Sequence, residues 1–372
     1  MRFGDDAAAA FPINTARSWA SAITRDMLSN ILRPSRRALV SCVATAVATA
    51  LLAPGLAFAQ PDRVRVASGQ AISDAAIYVA KEMGYFTEQN LDVSYELIDT
   101  TTTVTTGLAS GAIDVAGGSP GAGIYNAARQ GIPLKIVADK GRTLPGHGYF
   151  AILVRKDLAN VIKSPEDLRG RTIGLTGYNG GSSNEVMLSK LLATAKMKET
   201  DVNVVGMSFA DIFAALGTGR IDAAPLQEPL VARAVDNGSA VVWKRVDEVY
   251  PGQQYAALLY GPGITKRPDV AVRFMVAYLK GARFYNDALE GKIPREKLVS
   301  ILTQNTNVKD KTLYDKMAFP AIASDGKLNI EGMRSDVAWF VSAGRMKQAV
   351  KIEDVVDTSY AEKATQILDG AR

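Results

Sequence analysis

Cysteine and histidine each occur once in the 372 residues, as Cys42 and His147. A disulfide frame, a Cys/His zinc site and an HExxH metal helix all need more than that. A serine-hydrolase triad is not expected either, since no second histidine is present and His147 is not expected to be catalytic. Glycine-rich turns occur, but none runs on into Gly-Lys-Ser/Thr, so a phosphate loop is not expected. No metal, cofactor or catalytic residue is therefore expected.

A basic footprint is also missing once the chain is divided. The net charge is +5, and residues 1–59 hold six arginines against three aspartates, leaving only +2 on the remaining 313 residues. No nucleic-acid partner is expected from so small an excess. The apolar run Ala38 to Ala53 is broken by Pro54 and Gly55 before it reaches membrane-spanning length, and it closes on Ala57-Phe58-Ala59. A positive flank, a short apolar run and an Ala-x-Ala end describe a secretory signal, with cleavage expected near Ala59-Gln60. Met27 is an alternative start, and Ser35-Arg36-Arg37 leaves twin-arginine export open beside the general route. The lipoprotein-like box Leu39-Val40-Ser41-Cys42 follows the arginines with no apolar run ahead of it, so a lipid anchor is not expected, and cleavage removes the one thiol. Export to a bacterial periplasm is the expected location.

What is present is alternation. Val64–Ala67 reads as a strand, and Ser73 as the N-cap of a helix running to Met83 and stopped by Gly84. A strand Leu91–Leu97, a helix Thr102–Ala109, a strand Ile113–Ala116, a helix Gly121–Arg129 and a strand Leu134–Ala138 follow. This βαβα order predicts doubly wound, mostly parallel sheets. Farther on, Asp269–Leu289, Arg295–Leu302, Asp310–Met317 and Glu331–Ala343 carry helical apolar spacing. Phe274, Tyr278, Phe284 and Trp339 read as core.

One phrase is written twice. Leu108–Ala116 is LASGAIDVA and Leu216–Ala224 is LGTGRIDAA, 108 residues apart. Each leucine ends a helix, each second glycine (Gly111, Gly219) takes the left-handed cap, and Ile-Asp opens the next strand. Each strand then delivers a polar loop, 117–120 or 225–229. In open sheets ligands bind where loops leave strand carboxyl ends. Two lobes sharing one cleft are the expected outcome.

The order of the surrounding motifs carries a family resemblance. AKEMGYFTEQNLDVSYE (Ala80–Glu96), GLASGAIDVAGGSP (Gly107–Pro120), ILVRKDLANVIKSPEDLRGRTIGLTGYNGGSS (Ile152–Ser183) and VDTSYAEKA (Val356–Ala364) resemble the periplasmic binding proteins for nitrate, sulfonates, taurine and pyrimidine thiamin precursors. The resemblance implies a type II two-lobed α/β fold with two hinge crossings, near Tyr149–Leu153 and Gln254–Leu259. The lobes would be 60–152, 153–254 and a return segment 255–372 with C-terminal helices. It implies a monomeric, non-enzymatic receptor that closes on a small molecule and passes it to an ABC permease. The expected ligand is a small organic anion or zwitterion. An uncharged pyrimidine precursor, an enzyme of the same fold acting on a small ring compound, and a domain feeding a sensor kinase are the alternatives. The expected contacts are Gln70, Ala71, Ser119, Pro120, Gly181, Ser182, Ser183, Gln227 and Glu228. Tyr125, Arg142, Tyr149, Tyr178 and Asn179 are further candidates for the pocket wall. The N–H groups around 180–183 and the following helix dipole are expected to hold a ligand's negative group. Glu228, unpaired in a closed cleft, would need a cation, from a ligand amine or from Arg142.

Overall fold

The computed structural model describes residues 60–97 and 101–370, so the expected signal segment, with Cys42, lies outside the described residues. Counting helices of two turns or more, the first part of the chain runs β1 (Asp62–Ser68), α1 (Ala75–Glu82), β2 (Leu91–Leu97), α2 (Thr101–Ser110), β3 (Val115–Gly118), α3 (Ala122–Arg129) and β4 (Lys135–Arg142). A second series follows as β5 (Phe150–Arg155), β6 (Thr172–Leu175), α4 (Ser183–Thr194), β7 (Asn203–Gly206), α5 (Phe209–Thr218), β8 (Ala223–Gln227), α6 (Leu230–Asp236) and β9 (Ala240–Arg245). The chain closes with β10 (Gln254–Tyr260), α7 (Pro268–Leu289), α8 (Arg295–Asn305), α9 (Ile330–Ser342) and α10 (Ser359–Gly370).

These strands build two five-stranded sheets, ordered β2-β1-β3-β10-β4 and β7-β6-β8-β5-β9. Position for position the two orders match. In each, the first three strands pair in parallel and one strand, β10 or β5, runs against both its neighbours. Four strands of each sheet therefore share one direction, as the βαβα order implies. The chain leaves the first sheet after Arg142, enters the second at Phe150, and returns between Arg245 and Gln254. Both crossings lie a few residues earlier than expected, because the apolar stretches 149–153 and 254–259 are already sheet strands.

The repeated phrase has a common structure. Gly111 and Gly219 both take left-handed backbone angles, φ 74° and 73°. Asp114 Oδ2 accepts the Arg65 N–H at 2.9 Å while its own N–H donates to Arg65 O at 3.0 Å. Asp222 Oδ2 accepts the Thr172 N–H at 2.9 Å while its own N–H donates to Thr172 O at 2.8 Å. Each aspartate thus splices its strand onto the parallel neighbour, β1 or β6. The peptide after each reversed strand completes the junction, with the N–H of Gly261 or Arg155 donating to the carbonyl of Asp114 or Asp222.

Helix α7 supplies much of the first lobe's core. Phe274, Met275, Tyr278, Leu279, Ala282 and Tyr285 are fully buried on one side of it. Burying a large apolar side chain contributes about 1.5–3 kcal/mol. Two expected details differ. Ser73 lies in a single 3-10 turn, Ile72–Asp74, and it is the Asp74 carboxylate that accepts the Ala71 N–H at 3.2 Å. The Asp310–Met317 helix shrinks to Leu313–Lys316. Asp310 bonds the Thr312 N–H and hydroxyl, a local turn that competes with helix.

Candidate functional site

The loops that leave β3 and β6 meet. Ser119 Oγ, after β3, lies 2.6 Å from Ser183 Oγ, the first residue of α4. Beside them the Ala122 N–H, in the first turn of α3, donates to Gly181 O at 2.8 Å. Gly121 and Gly181 make this approach possible: a Cβ on Gly121 would sit 2.7 Å from Gly181 O, and one on Gly181 would sit 2.3 Å from Ala122 Cβ. Four expected residues, Ser119, Pro120, Gly181 and Ser183, are thereby brought to one junction between the lobes. Ser182 is next to it as the N-cap of α4, its hydroxyl accepting the Glu185 N–H at 3.3 Å.

Around that junction lie polar groups that sequence reasoning missed. The Gln253 side-chain amide donates to Ser183 O at 3.0 Å, and the Tyr255 hydroxyl donates to Asn184 Oδ1. Tyr149 and Tyr255 pack edge to face at 6.2 Å, and Phe150 stacks on Tyr255 at 3.8 Å. Lys140 is buried, its Nζ 2.6 Å from Asp74 Oδ1 and 2.7 Å from Ser73 Oγ. Its side chain runs against Gly117, where a Cβ would come within 2.1 Å of Lys140 Cε. Among the described residues, the buried atoms Gln70 Oε1, Tyr149 Oη, Thr176 Oγ1 and Gln253 Oε1 have no hydrogen-bond partner. Buried polar atoms rarely stay without a partner. Gln70 takes a positive φ of 54°, placing this half-buried side chain on the turn that Ser68 and Asp74 brace from below.

The expected anion position is filled from within. Glu185 is buried, and its carboxylate accepts the N–H groups of Asn179 (3.0 Å), Gly181 (2.6 Å) and Ser182 (2.9 Å). Arg345, from the segment after α9, pairs with it at 2.8 Å. The spacing Ser182-x-x-Glu185 is a capping-box signature and could have announced this. Tyr178 and Asn179 belong to the same arrangement. The Tyr178 hydroxyl donates to Glu199 at 2.7 Å and its ring lies under Arg345, while Asn179 is exposed on the loop.

The second-repeat loop is used differently from expectation. Glu228 is fully buried, with Oε2 accepting the Ala232 N–H at 2.9 Å and Oε1 the Ala318 N–H at 3.2 Å. Its cation is Arg245, 3.6 Å away, and not Arg142. Arg142 instead faces the buried Asp139 at 3.4 Å. Burial pushes the Glu228 carboxyl up to about 6, against the pull of those two N–H groups and Arg245. Gln227 is the last residue of β8, paired with Phe150 across the sheet. No hydrogen bond among the described residues joins Gln227 or Glu228 to Ser119. Tyr125 is core, packed 6.3 Å from Phe340.

Gly117-Gly118-Ser119-Pro120-Gly121 does spell the Gly-x-Ser-x-Gly elbow pattern. No base serves it: the Ser119 hydroxyl meets Ser183, and the His147 ring bonds Phe319 O at 3.2 Å. Groups of three or more His, Cys, Asp or Glu placed to hold a metal are absent among the described residues.

Known proteins resemble this chain in sequence and in fold. The family model described as "NMT1/THI5 like" matches residues 72–288. A binding protein of Brucella abortus (strain 2308) is 24% identical over 294 residues, covering 76% of this chain and 86% of its own. The alkanesulfonate-binding protein SsuA of Xanthomonas axonopodis pv. citri, bound to MOPS, superposes with a TM-score of 0.64 at 18% identity, over 81% of this chain and 99% of that one. The periplasmic nitrate-binding protein NrtA of Synechocystis PCC 6803 gives 0.67 at 12% identity, over 82% and 89%. The desulfurization enzyme DszB also shares the fold, at 0.58 and 14% identity over 84% and 100%.

Proposed function

The chain belongs to the NMT1/THI5-like family, and from that premise we propose that it is the periplasmic solute receptor of an ABC importer. It captures a small polar molecule between its lobes, performs no chemistry on it, and works as a monomer that hands the solute to a membrane permease. The observation that carries this reading is the Ser119–Ser183 contact across the lobes, with Gln253, whose amide oxygen is unpartnered, bonded to Ser183 O beside it. A solute seated there would bond both lobes at once and so favour the closed state over the open one.

Gln70, Ala71, Ser119, Pro120 and Ser183 remain the proposed contacts, with Tyr149 kept as pocket wall and Gln253 added. Mass spectrometry of the solute carried by protein purified from its native host identifies the ligand. That ligand should raise the melting temperature by mass action and contract the particle in small-angle scattering. Ser119→Ala and Ser183→Ala should each weaken binding roughly tenfold to a hundredfold, one lost hydrogen bond to a polar group. Neither should lower the melting temperature of the unliganded protein much. Turnover of the ligand would replace this reading with the enzyme one, and unchanged affinity in both variants would place the solute elsewhere.

A further inference from the structure

Glu185 takes up the N–H groups around 180–183 expected to hold a ligand's negative group. Three backbone N–H groups converge on its carboxylate from the second lobe, and the Arg345 guanidinium reaches it from the C-terminal segment that packs with the first. Arg345 is in turn fixed by Glu199 at 3.5 Å and by the Tyr178 ring. Donors from both sides around one buried negative group are what a bound anion would be given in a closed cleft. Here the chain provides the negative group itself.

Three other buried carboxylates face cations. Lys140 pairs with Asp74, Glu228 with Arg245 and Asp139 with Arg142. Two of the atoms left without partners, Gln70 Oε1 and Gln253 Oε1, are amide oxygens, which accept and cannot donate. Gln253 is fixed in that sense because its NH2 already donates to Ser183 O. A solute bringing an unpaired negative group would meet these two acceptors, with the Tyr149 and Thr176 hydroxyls as the donors left unpartnered. One bringing N–H or O–H donors would meet partners.

Resting on the receptor reading above, we propose that Glu185 is a specificity-determining residue: its carboxylate fills the anion position between the lobes, so that the cleft selects solutes without a negative group. Removing that carboxylate uncovers an anion site already equipped with three N–H groups and Arg345.

The test uses sodium acetate, nitrate and methanesulfonate as probes on the full mature chain, with sodium chloride at equal ionic strength as the reference. Glu185→Ala should melt below wild type and regain stability in acetate or methanesulfonate. Its anion dissociation constants should be at least about tenfold below those of wild type, which should respond no more than to chloride. Adding Arg345→Ala to Glu185→Ala should abolish that gain. If Glu185→Ala gives no soluble protein, expression with acetate in the medium should restore it, and failure to do so overturns the proposal. So does tight binding of any of the three anions by wild type, or a folded Glu185→Ala that ignores them all. The solute carried by wild type adds an independent arm: a carboxylate, sulfonate or phosphate ester among its groups overturns the charge selection while leaving the receptor reading intact. Full affinity in both serine variants, with anion rescue of Glu185→Ala still present, sinks the receptor geometry and not the role of Glu185.

Discussion

The two lobes solve one local problem with the same device and draw the matching cation from different places. The matching strands β1 and β6 each end in a turn whose N–H groups must be satisfied before the next helix begins. In the first lobe the Asp74 carboxylate takes the Ala71 N–H and the Ser68 hydroxyl. In the second, Glu185 takes three N–H groups. Asp74 is matched by Lys140, which is on β4 of its own lobe. Glu185 is matched by Arg345, which arrives from outside its sheet. The first pair is therefore a feature of one lobe's stability, while the second exists only when the two halves are together. Trp339 follows the second pattern, its indole N–H donating to Ser189 Oγ at 2.9 Å, and so does the Ala318 N–H on Glu228.

Removing each cation separates the two roles. Lys140 and Asp74 are both essentially buried, and breaking a buried pair by deleting one partner strands a charge. Lys140→Ala should cost about 3–5 kcal/mol in urea unfolding whether or not ligand is present. Arg345 is more exposed, and Glu185 keeps its three N–H donors without it. Arg345→Ala should cost less in unfolding than Lys140→Ala, since the three N–H groups stay on Glu185, and should instead enlarge the unliganded particle in small-angle scattering. Equal unfolding costs for the two variants, with no change in scattering, would erase the distinction.

Acidity sharpens the same contrast. Burial raises Glu228, in the second lobe, and Asp336, on α9, each to about 6. Asp336 accepts the Tyr250 hydroxyl at 2.8 Å, and that bond moderates the rise. Both groups bind protons more readily folded than unfolded. The stability they lend as neutral acids is complete below about pH 4 and is lost as pH rises through about 6, each worth about 2–3 kcal/mol. Urea midpoints should accordingly fall between pH 5 and pH 7, and Glu228→Gln should flatten part of that slope. A midpoint that rises over the same interval would mean that the paired carboxylates, not these two, govern the response.

How much of this was readable beforehand follows from the range of the interactions. The alternating elements, the left-handed glycines and the helix-to-strand phrase are local, and spacing alone located them. Ser119 could be placed because it follows a short apolar strand in the repeated phrase, and Ser183 because a glycine-rich turn there opens a helix. Glu185 was legible in principle, since its capping box spans four residues, yet the loop's glycines pointed to a ligand first. Arg345, Lys140 and Gln253 were not legible. Arg345 and Gln253 act 160 and 70 residues from their partners and Lys140 acts 67 residues from Ser73, and no periodicity encodes such a meeting. The choice of Arg142 for Glu228 failed for the same reason. Arg245 reaches it because β9 and β8 both pair with β5, a neighbourhood that exists only once the second sheet has formed.

The smallest effect bears on the repeated phrase itself. Gly111 and Gly219 have nearly identical backbone angles, and an added Cβ would meet nothing within 4 Å at Gly111 and only the Arg155 side chain, at 3.5 Å or beyond, at Gly219. Space is therefore not the constraint at either position; the left-handed conformation is. Gly111→Ala and Gly219→Ala should each cost about 1–2 kcal/mol, equal within error, read from urea unfolding of the unliganded protein. Asparagine at either position should recover part of that loss, because its side chain tolerates the left-handed region better than a plain methyl does. The aspartates that follow should not behave alike. Asp114 is almost fully buried between Arg65 at 3.0 Å and Arg267 at 3.4 Å, whereas Asp222 is partly exposed with Arg155 alone at 3.4 Å. Matched glycine losses with unmatched aspartate losses would mean that the two lobes share a backbone junction and have diverged in the charges set around it. Unequal glycine losses would mean that the phrase is a coincidence of letters.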